Sequence, residues 1–176
     1  DVLSNKLVTD NPVNRCYYCK QGVFGTILEA AKNDGMTVIL DGTNASDDAD
    51  DRPGMKALQE MKVLSPLRMC GYVKSEIRKQ SKEAGLFVYN KPSYACLATR
   101  IPTGTEIDEE KIKQVEAAET FLFDLGFSDF RVRWMDNKAK IQMPESQLQA
   151  LMEKREVVLE ELSKIFDEVL LDLRTR

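Results

Sequence analysis

The sequence predicts two folding units in series, a parallel α/β unit over residues 1–104 and a small α+β unit over residues 105–176. Three observations carry this. Short apolar runs and helical patterns alternate as strand, helix, strand, helix through residues 36–84, the order that parallel sheets use. The stretch from Phe87 to Gly104 holds Pro92, Pro102 and Gly104 without clean periodicity, and reads as a long functional loop or an interdomain linker. Beyond it the pattern becomes helix, hairpin, helix, strand, which is a small α+β arrangement.

Taking the elements in order, Lys20 to Asn33 is expected to be helical, with Val23, Phe24, Ile27, Leu28 and Ala31 on one face and Gly35 as a left-handed cap. The run Met36 to Leu40 suits a buried strand, with Asp41-Gly42-Thr43-Asn44 turning at its C-terminal end. An acidic loop follows to Asp51. Pro53 suits a first helical turn, with the helix running to about Met61. Val63 to Leu67 reads as a second short strand and its exit, and Val73 to Ala84 as a helix ended by Gly85. In the second unit Asp108 is placed to cap a helix reaching Leu125 and stopped by Gly126. Phe130 to Trp134 alternates as a half-buried strand. Asp136-Asn137 turns it into a partner strand, Ala139 to Met143. Pro144 opens a long helix carrying Leu148, Leu151, Met152, Val158, Leu159 and Leu162, and Val169 to Leu173 is a last strand.

Hydrophobic residues make 43 % of the 176 and charged residues 31 %, an ordinary globular balance. The net charge of −4 argues against a general nucleic-acid binder. No apolar run approaches the length that spans a bilayer, and the start at Asp1 shows no signal-peptide pattern, so a cytoplasmic location is expected. The chain opens without Met and reads as the middle of something longer. It has four cysteines and no histidine. A Ser-His-Asp triad, a Cys-His dyad and a histidine-based zinc site are therefore excluded, and any metal must use thiolates or carboxylates.

Four groups of residues could carry chemistry. Cys16 and Cys19 form a Cys-x-x-Cys pair, which lets two thiolates reach one metal centre or form a dithiol–disulfide couple. Two thiolates cannot fill a four-coordinate site, so a metal would need a third ligand; equally, the pair could simply pack beside Tyr17 and Tyr18. Cys96 lies in Lys91-Pro92-Ser93-Tyr94-Ala95-Cys96-Leu97-Ala98-Thr99-Arg100, where the nearby positive charges favour a nucleophile or metal ligand; a lone cysteine is as commonly a small apolar filler. Arg131 and Arg133, two apart on a strand, project from one face and with Arg100 suit a phosphate or carboxylate, against the plainer reading of a solvated sheet face. Asp41, Thr43 and the acidic residues Asp47, Asp48, Asp50 and Asp51 with Arg52 follow a strand's C-terminal end, where α/β proteins bind ligands and where carboxylates could hold Mg²⁺; the commoner case is a mobile acidic loop. Cys70 reads as structural.

Six segments, taken in order, resemble the LarE-type ATP-dependent sulfur-transferases of the PP-loop (ATP pyrophosphatase) superfamily. They are Asn11-Pro12-Val13-Asn14-Arg15-Cys16-Tyr17-Tyr18-Cys19-Lys20, Leu40-Asp41-Gly42-Thr43-Asn44 with Asp51-Arg52-Pro53-Gly54, Leu64-Ser65-Pro66-Leu67, the run from Lys91 to Pro102, Arg131-Val132-Arg133, and Leu171-Asp172-Leu173. The resemblance implies a partial PP-loop nucleotide domain over residues 1–104. It also implies adenylation of a carboxylate at the expense of ATP with Mg²⁺, then sulfur delivery to a pyridinium dicarboxylate in nickel-pincer cofactor biosynthesis. It implies the three-cysteine type, in which Cys16, Cys19 and Cys96 hold a [4Fe–4S] cluster, or a type in which a cysteine sulfur is sacrificed. Arg100, Arg131 and Arg133 would line the substrate phosphate or carboxylate, Glu119 would be an active-site carboxylate, and Asp41, Thr43 and Arg52 would lie near the nucleotide. A homo-oligomer is implied as well.

Three departures stand beside it. The Ser-Gly-Gly-x-Asp-Ser loop that cradles ATP phosphates is absent with the first strands of that domain, so the chain alone is expected not to adenylate. Gln142 stands where related proteins carry an acidic residue. The chain ends at Arg174-Thr175-Arg176, short of the usual Gly-Tyr-Arg tail. The alternatives are another PP-loop activity, such as tRNA thiolation or an amidating synthetase, and a non-catalytic cluster-binding fragment.

Overall fold

A computed structural model describes residues 1–47 and 53–175. The chain divides into two compact units, Asp1–Lys91 and Pro92–Arg176, and the division falls inside the proline-bearing segment 87–104. Asp48, Asp50, Asp51, Arg52 and Arg176 lie outside the described residues. Among those described, no helix is long and apolar enough to cross a membrane.

The first unit is helical: α1 (Lys6–Thr9), α2 (Arg15–Asn33), α3 (Pro53–Glu60), α4 (Pro66–Met69) and α5 (Lys74–Glu83). Helix α2 starts at Arg15 rather than Lys20. Asn11 adopts a left-handed φ of 51° before Pro12, and the backbone bonds Arg15 N to Pro12 O (2.9 Å) and Tyr17 N to Asn14 O (2.9 Å) begin the helical ladder there. It closes as expected: Gly35 at φ 72° lets Met36 N reach Ala31 O at 2.8 Å, the signature of a glycine C-cap.

The expected buried strand 36–40 does not form. Only Leu40 pairs, in one isolated parallel bridge to Leu64, and Met36, Val38 and Leu40 are exposed. With no further strand beside it among the described residues of this unit, the run lacks the ladder that a buried parallel strand needs. Nor is any residue of α2 fully buried. The core of the unit is small, with Met55, Leu58 and Val63 packed against Phe24, Ile39 and Met61.

The second unit holds the larger core. Asp108 Oδ1 accepts Lys111 N at 2.8 Å and caps α6 (Glu109–Asp124). Strands β1 (Arg131–Met135) and β2 (Lys138–Gln142) form an antiparallel hairpin in the register Arg131 to Gln142 and Arg133 to Lys140. Asp136 and Asn137 both take positive φ, 47° and 59°, the type I′ geometry that suits the twist of the flanking strands. Strand β3 (Glu168–Leu171) lies parallel to β2.

The long helix expected after Pro144 is instead a 3-10 turn (Glu145–Gln147), α7 (Leu148–Glu153) and α8 (Arg155–Leu162). The break falls at Lys154, whose N–H is shared between Ala150 O (3.2 Å) and Leu151 O (3.1 Å) while its Nζ is drawn to Leu125 O at 2.7 Å. Alternation in β1 and β2 sends Val132, Ala139 and Ile141 into a core with Ala118, Leu122, Leu151, Val158 and Leu162. The opposite, polar face carries Arg131, Arg133, Lys140 and Gln142.

Candidate functional site

The polar face of the sheet explains how the segment bearing Cys96 is held. Three arginines each donate to a carbonyl of that segment. Arg131 Nη2 reaches Ser93 O (2.6 Å), Arg100 Nη1 reaches Ala95 O (3.3 Å), and Arg133 Nη1 reaches Thr99 O. The ring of Tyr94 lies under two of the guanidiniums, 4.8 Å from Arg131 and 5.7 Å from Arg100, and packs on Phe123 at 5.0 Å. Cys96 precedes a 3-10 turn (Leu97–Arg100), its carbonyl accepts Thr99 N and Thr99 Oγ1, and its side chain is exposed. The segment is thus held through its carbonyls, and the Cys96 side chain is left exposed.

Arg100 and Glu119 come together as a buried bidentate pair. Nε to Oε1 is 2.7 Å and Nη2 to Oε2 is 3.0 Å, with both side chains shielded from solvent. Glu119 Oε1 also accepts Val132 N at 2.9 Å, so the carboxylate ties α6, β1 and the Cys96 segment together. Arg131 is likewise buried, and Arg133 partly so. The guanidinium of Arg100, counted from sequence as a charge beside Cys96, is balanced by Glu119.

Gln142 is a bridge in this network. Its Oε1 accepts Arg133 Nε (2.8 Å) and its Nε2 donates to Asp172 Oδ2 (2.8 Å), which also meets Lys140 Nζ at 3.1 Å. The Gln142 amide, the backbone N–H of Arg174 and Lys140 together hold the Asp172 carboxyl well below the usual carboxylate range. A depressed carboxylate stabilises the fold above its unfolded value of 3.8 and loses that contribution as pH falls below it. Asp172→Asn is therefore expected to be less stable than the parent above pH ~4, with the difference shrinking progressively as pH falls below that value. Urea unfolding at stepped pH checks this.

In the first unit, Cys16 and Cys19 sit in the opening turns of α2, three residues apart and so on one helix face. Cys16 is exposed and Cys19 half-buried, and none of the four cysteines forms a disulfide. Arg15 Nη2 lies 4.0 Å from Cys16 Sγ, while Arg15 Nη1 donates to Oδ1 of the wholly buried Asn11 at 2.5 Å. Tyr17 donates to Glu60 Oε2 at 2.6 Å, and this bond raises the phenol above its ordinary value. Two thiolates on one helix face suit half of a tetrahedral metal site. Among the described residues no three Cys, Asp or Glu side chains gather into a metal-binding group within either unit.

Asp41 and Thr43 come together, and Ser65 joins them. Asp41 Oδ1 accepts Ser65 Oγ (2.6 Å) and Thr43 N (3.2 Å), and Oδ2 accepts Thr43 Oγ1 (2.5 Å). Burial works against the Asp41 charge, yet these donors and Lys20 outweigh it and hold the carboxyl below its ordinary value. Arg52 lies outside the described residues. Lys20 and Gly54, which stand in the resembling segments without a role, meet in the structure. The Lys20 stem passes so close to Gly54 that an added Cβ would lie 3.0 Å from Lys20 Cδ and 3.5 Å from the Cys16 carbonyl. A glycine directly after the proline that opens α3 was the available signal.

No protein-family model matches the chain. It is 34% identical over 148 residues, 84% of its length, to the pyridinium-3,5-bisthiocarboxylic acid mononucleotide synthase of Lactiplantibacillus plantarum. It is 38% identical over 164 residues to an uncharacterised protein of Synechocystis sp. and 31% identical over 154 residues to one of Methanocaldococcus jannaschii. These matches cover 93% and 88% of the chain. The chain spans 54% of the synthase and 60% of each of the other two.

Proposed function

We propose that the chain is the sulfur-delivering part of an enzyme that places sulfur on an adenylated pyridinium carboxylate in nickel-pincer cofactor biosynthesis. The single observation that supports this best is the likeness to a bisthiocarboxylic acid mononucleotide synthase over 84% of the chain. The exposed thiol of Cys96, carried on a segment held by three arginines, gives that likeness a chemical centre. In this reading the whole protein is a cytoplasmic homo-oligomer of the PP-loop type that uses ATP and Mg²⁺ to adenylate its substrate.

Cys16, Cys19 and Cys96 would hold a [4Fe–4S] cluster, whose three-thiolate ligation leaves one iron open for a sulfur to be passed on. Arg133 would meet the substrate phosphate or carboxylate, with Arg131 and Arg100 keeping the Cys96 segment in place beside it, and Glu119 holding Arg100. Asp41, Thr43 and Arg52 would line the nucleotide. A pyridinium carboxylate adenylated beforehand removes the need for an ATP site in the test. Incubated anaerobically with the iron- and sulfide-loaded chain, it should yield a thiocarboxylate, seen as an oxygen-to-sulfur mass gain. Release of the carboxylate without sulfur, at the rate seen in buffer, would overturn the reading.

A further inference from the structure

We propose that Cys16 and Cys19 form a redox-active dithiol that exchanges with small disulfides of the glutathione class, Cys16 attacking and Cys19 resolving. The pair shares one face of α2 within its first turns, while Cys70 stands at the C-terminal end of α4. Residues three apart on a helix place their Cβ atoms about 5–6 Å apart, and a disulfide needs about 3.5–4.5 Å. The opening turn can absorb that difference. Its first N–H groups have no partner within the helix, and Asn14 makes no side-chain cap, its amide being turned to Tyr18 Oη at 3.2 Å.

The two sulfurs differ in a way that assigns their roles. Cys16 is exposed and has the Arg15 guanidinium 4.0 Å from its sulfur. That guanidinium is fixed by Asn11, which is buried and locked in a left-handed turn before Pro12. Its positive charge lies beside the attacking sulfur. Cys19 is half-buried in the wall of an open cleft of about 490 Å³ between the start of the chain and α2, shared with Val2, Val8, Tyr18 and Val23. An incoming disulfide meets Cys16 first.

The exchange balances without any further reactant. The Cys16 thiolate attacks one sulfur of the small disulfide, an S–S bond breaks, and one thiolate leaves with its electron pair. The Cys19 thiolate then attacks Cys16 Sγ in the mixed disulfide and expels the second small thiol. The protein dithiol loses two electrons and two protons, and the small disulfide becomes two thiols. The consequence for sulfur delivery rests on the cluster reading: oxidation removes two of the three proposed ligands.

The test uses the full chain, reduced and freed of metal by a chelator, then exposed to graded glutathione disulfide and trapped with iodoacetamide. Trypsin cleaves after Arg15 and Lys20, so Cys16-Tyr17-Tyr18-Cys19-Lys20 leaves as one peptide. In the parent this peptide should appear two hydrogens lighter and unalkylated. Cys19→Ser should keep a stable glutathione adduct on Cys16, and Cys16→Ser should modify Cys19 at least about tenfold more slowly. Pairing with Cys70 or Cys96, equal adduct rates in the two variants, or adducts on both cysteines without an internal disulfide would each overturn the proposal. The iron-free readout keeps the two readings apart: loss of this disulfide says nothing against iron binding, and absent iron binding leaves the exchange intact.

Discussion

Glu119→Ala is expected to destabilise the second unit by about 3–5 kcal/mol, because it leaves the Arg100 guanidinium buried without its counter-charge. A domain of this size is stable by only about 5–15 kcal/mol in total, so urea unfolding should show a large loss. Two features make the site demanding. The pair is bidentate and shielded from solvent, and Glu119 is also the acceptor for the Val132 N–H in the first sheet strand. Removing both charges together is a different matter. Arg100→Met with Glu119→Leu should recover part of the loss, since a buried ion pair replaced by apolar side chains is often neutral. The unsatisfied Val132 N–H still costs about 1–3 kcal/mol. Even so, the double variant frees the Ala95 carbonyl that Arg100 holds, and amide exchange across residues 93–99 should quicken. An unfolding curve for Glu119→Ala that overlays the parent would contradict this account of the pair.

Cys96→Ala is expected to lower thiocarboxylate formation from a pre-adenylated pyridinium carboxylate by about 10² or more, because it removes one of the three thiolates that would hold the sulfur-passing cluster. Stability should hardly move. The side chain is exposed, and its segment is fixed through the carbonyls of Ser93, Ala95 and Thr99 rather than through the sulfur. Cys70→Ala, at the exposed end of α4, is the matched control and should leave transfer unchanged. Equal losses in the two variants would remove Cys96 from the chemistry.

The second unit was the more legible in sequence. Its helix cap at Asp108, the Asp136-Asn137 turn and the alternation of β1 and β2 are local signals, and each is settled within a few residues by hydrogen bonding and side-chain alternation. The first unit was less so. The run 36–40 carries the composition of a buried strand, but a strand exists only where a partner ladder does, and Leu40 finds a single parallel bridge. The split of the helix after Pro144 depends on Lys154 reaching Leu125, a contact across sequence that periodicity cannot see.

At the candidate site the spacing of the residues gives no sign of the bonds among them. Arg131 and Arg133 do share a sheet face, as their spacing requires, yet the face is covered by the very segment that carries Cys96. The Arg100 and Glu119 pair joins residues 19 apart through a buried contact that no local pattern announces. Gln142, an amide on the strand that also carries Lys138 and Lys140, gains its meaning only from standing between Arg133 and Asp172.

Sulfur delivery as proposed needs Cys16, Cys19 and Cys96 to act as one set. Anaerobic reconstitution with iron and sulfide, read by iron content and visible absorption on the parent and on Cys96→Ala, tests it most directly. About four irons per parent chain with a broad charge-transfer band are expected, with both lost in the variant. Iron absent from the parent, or retained in full by Cys96→Ala, would contradict it.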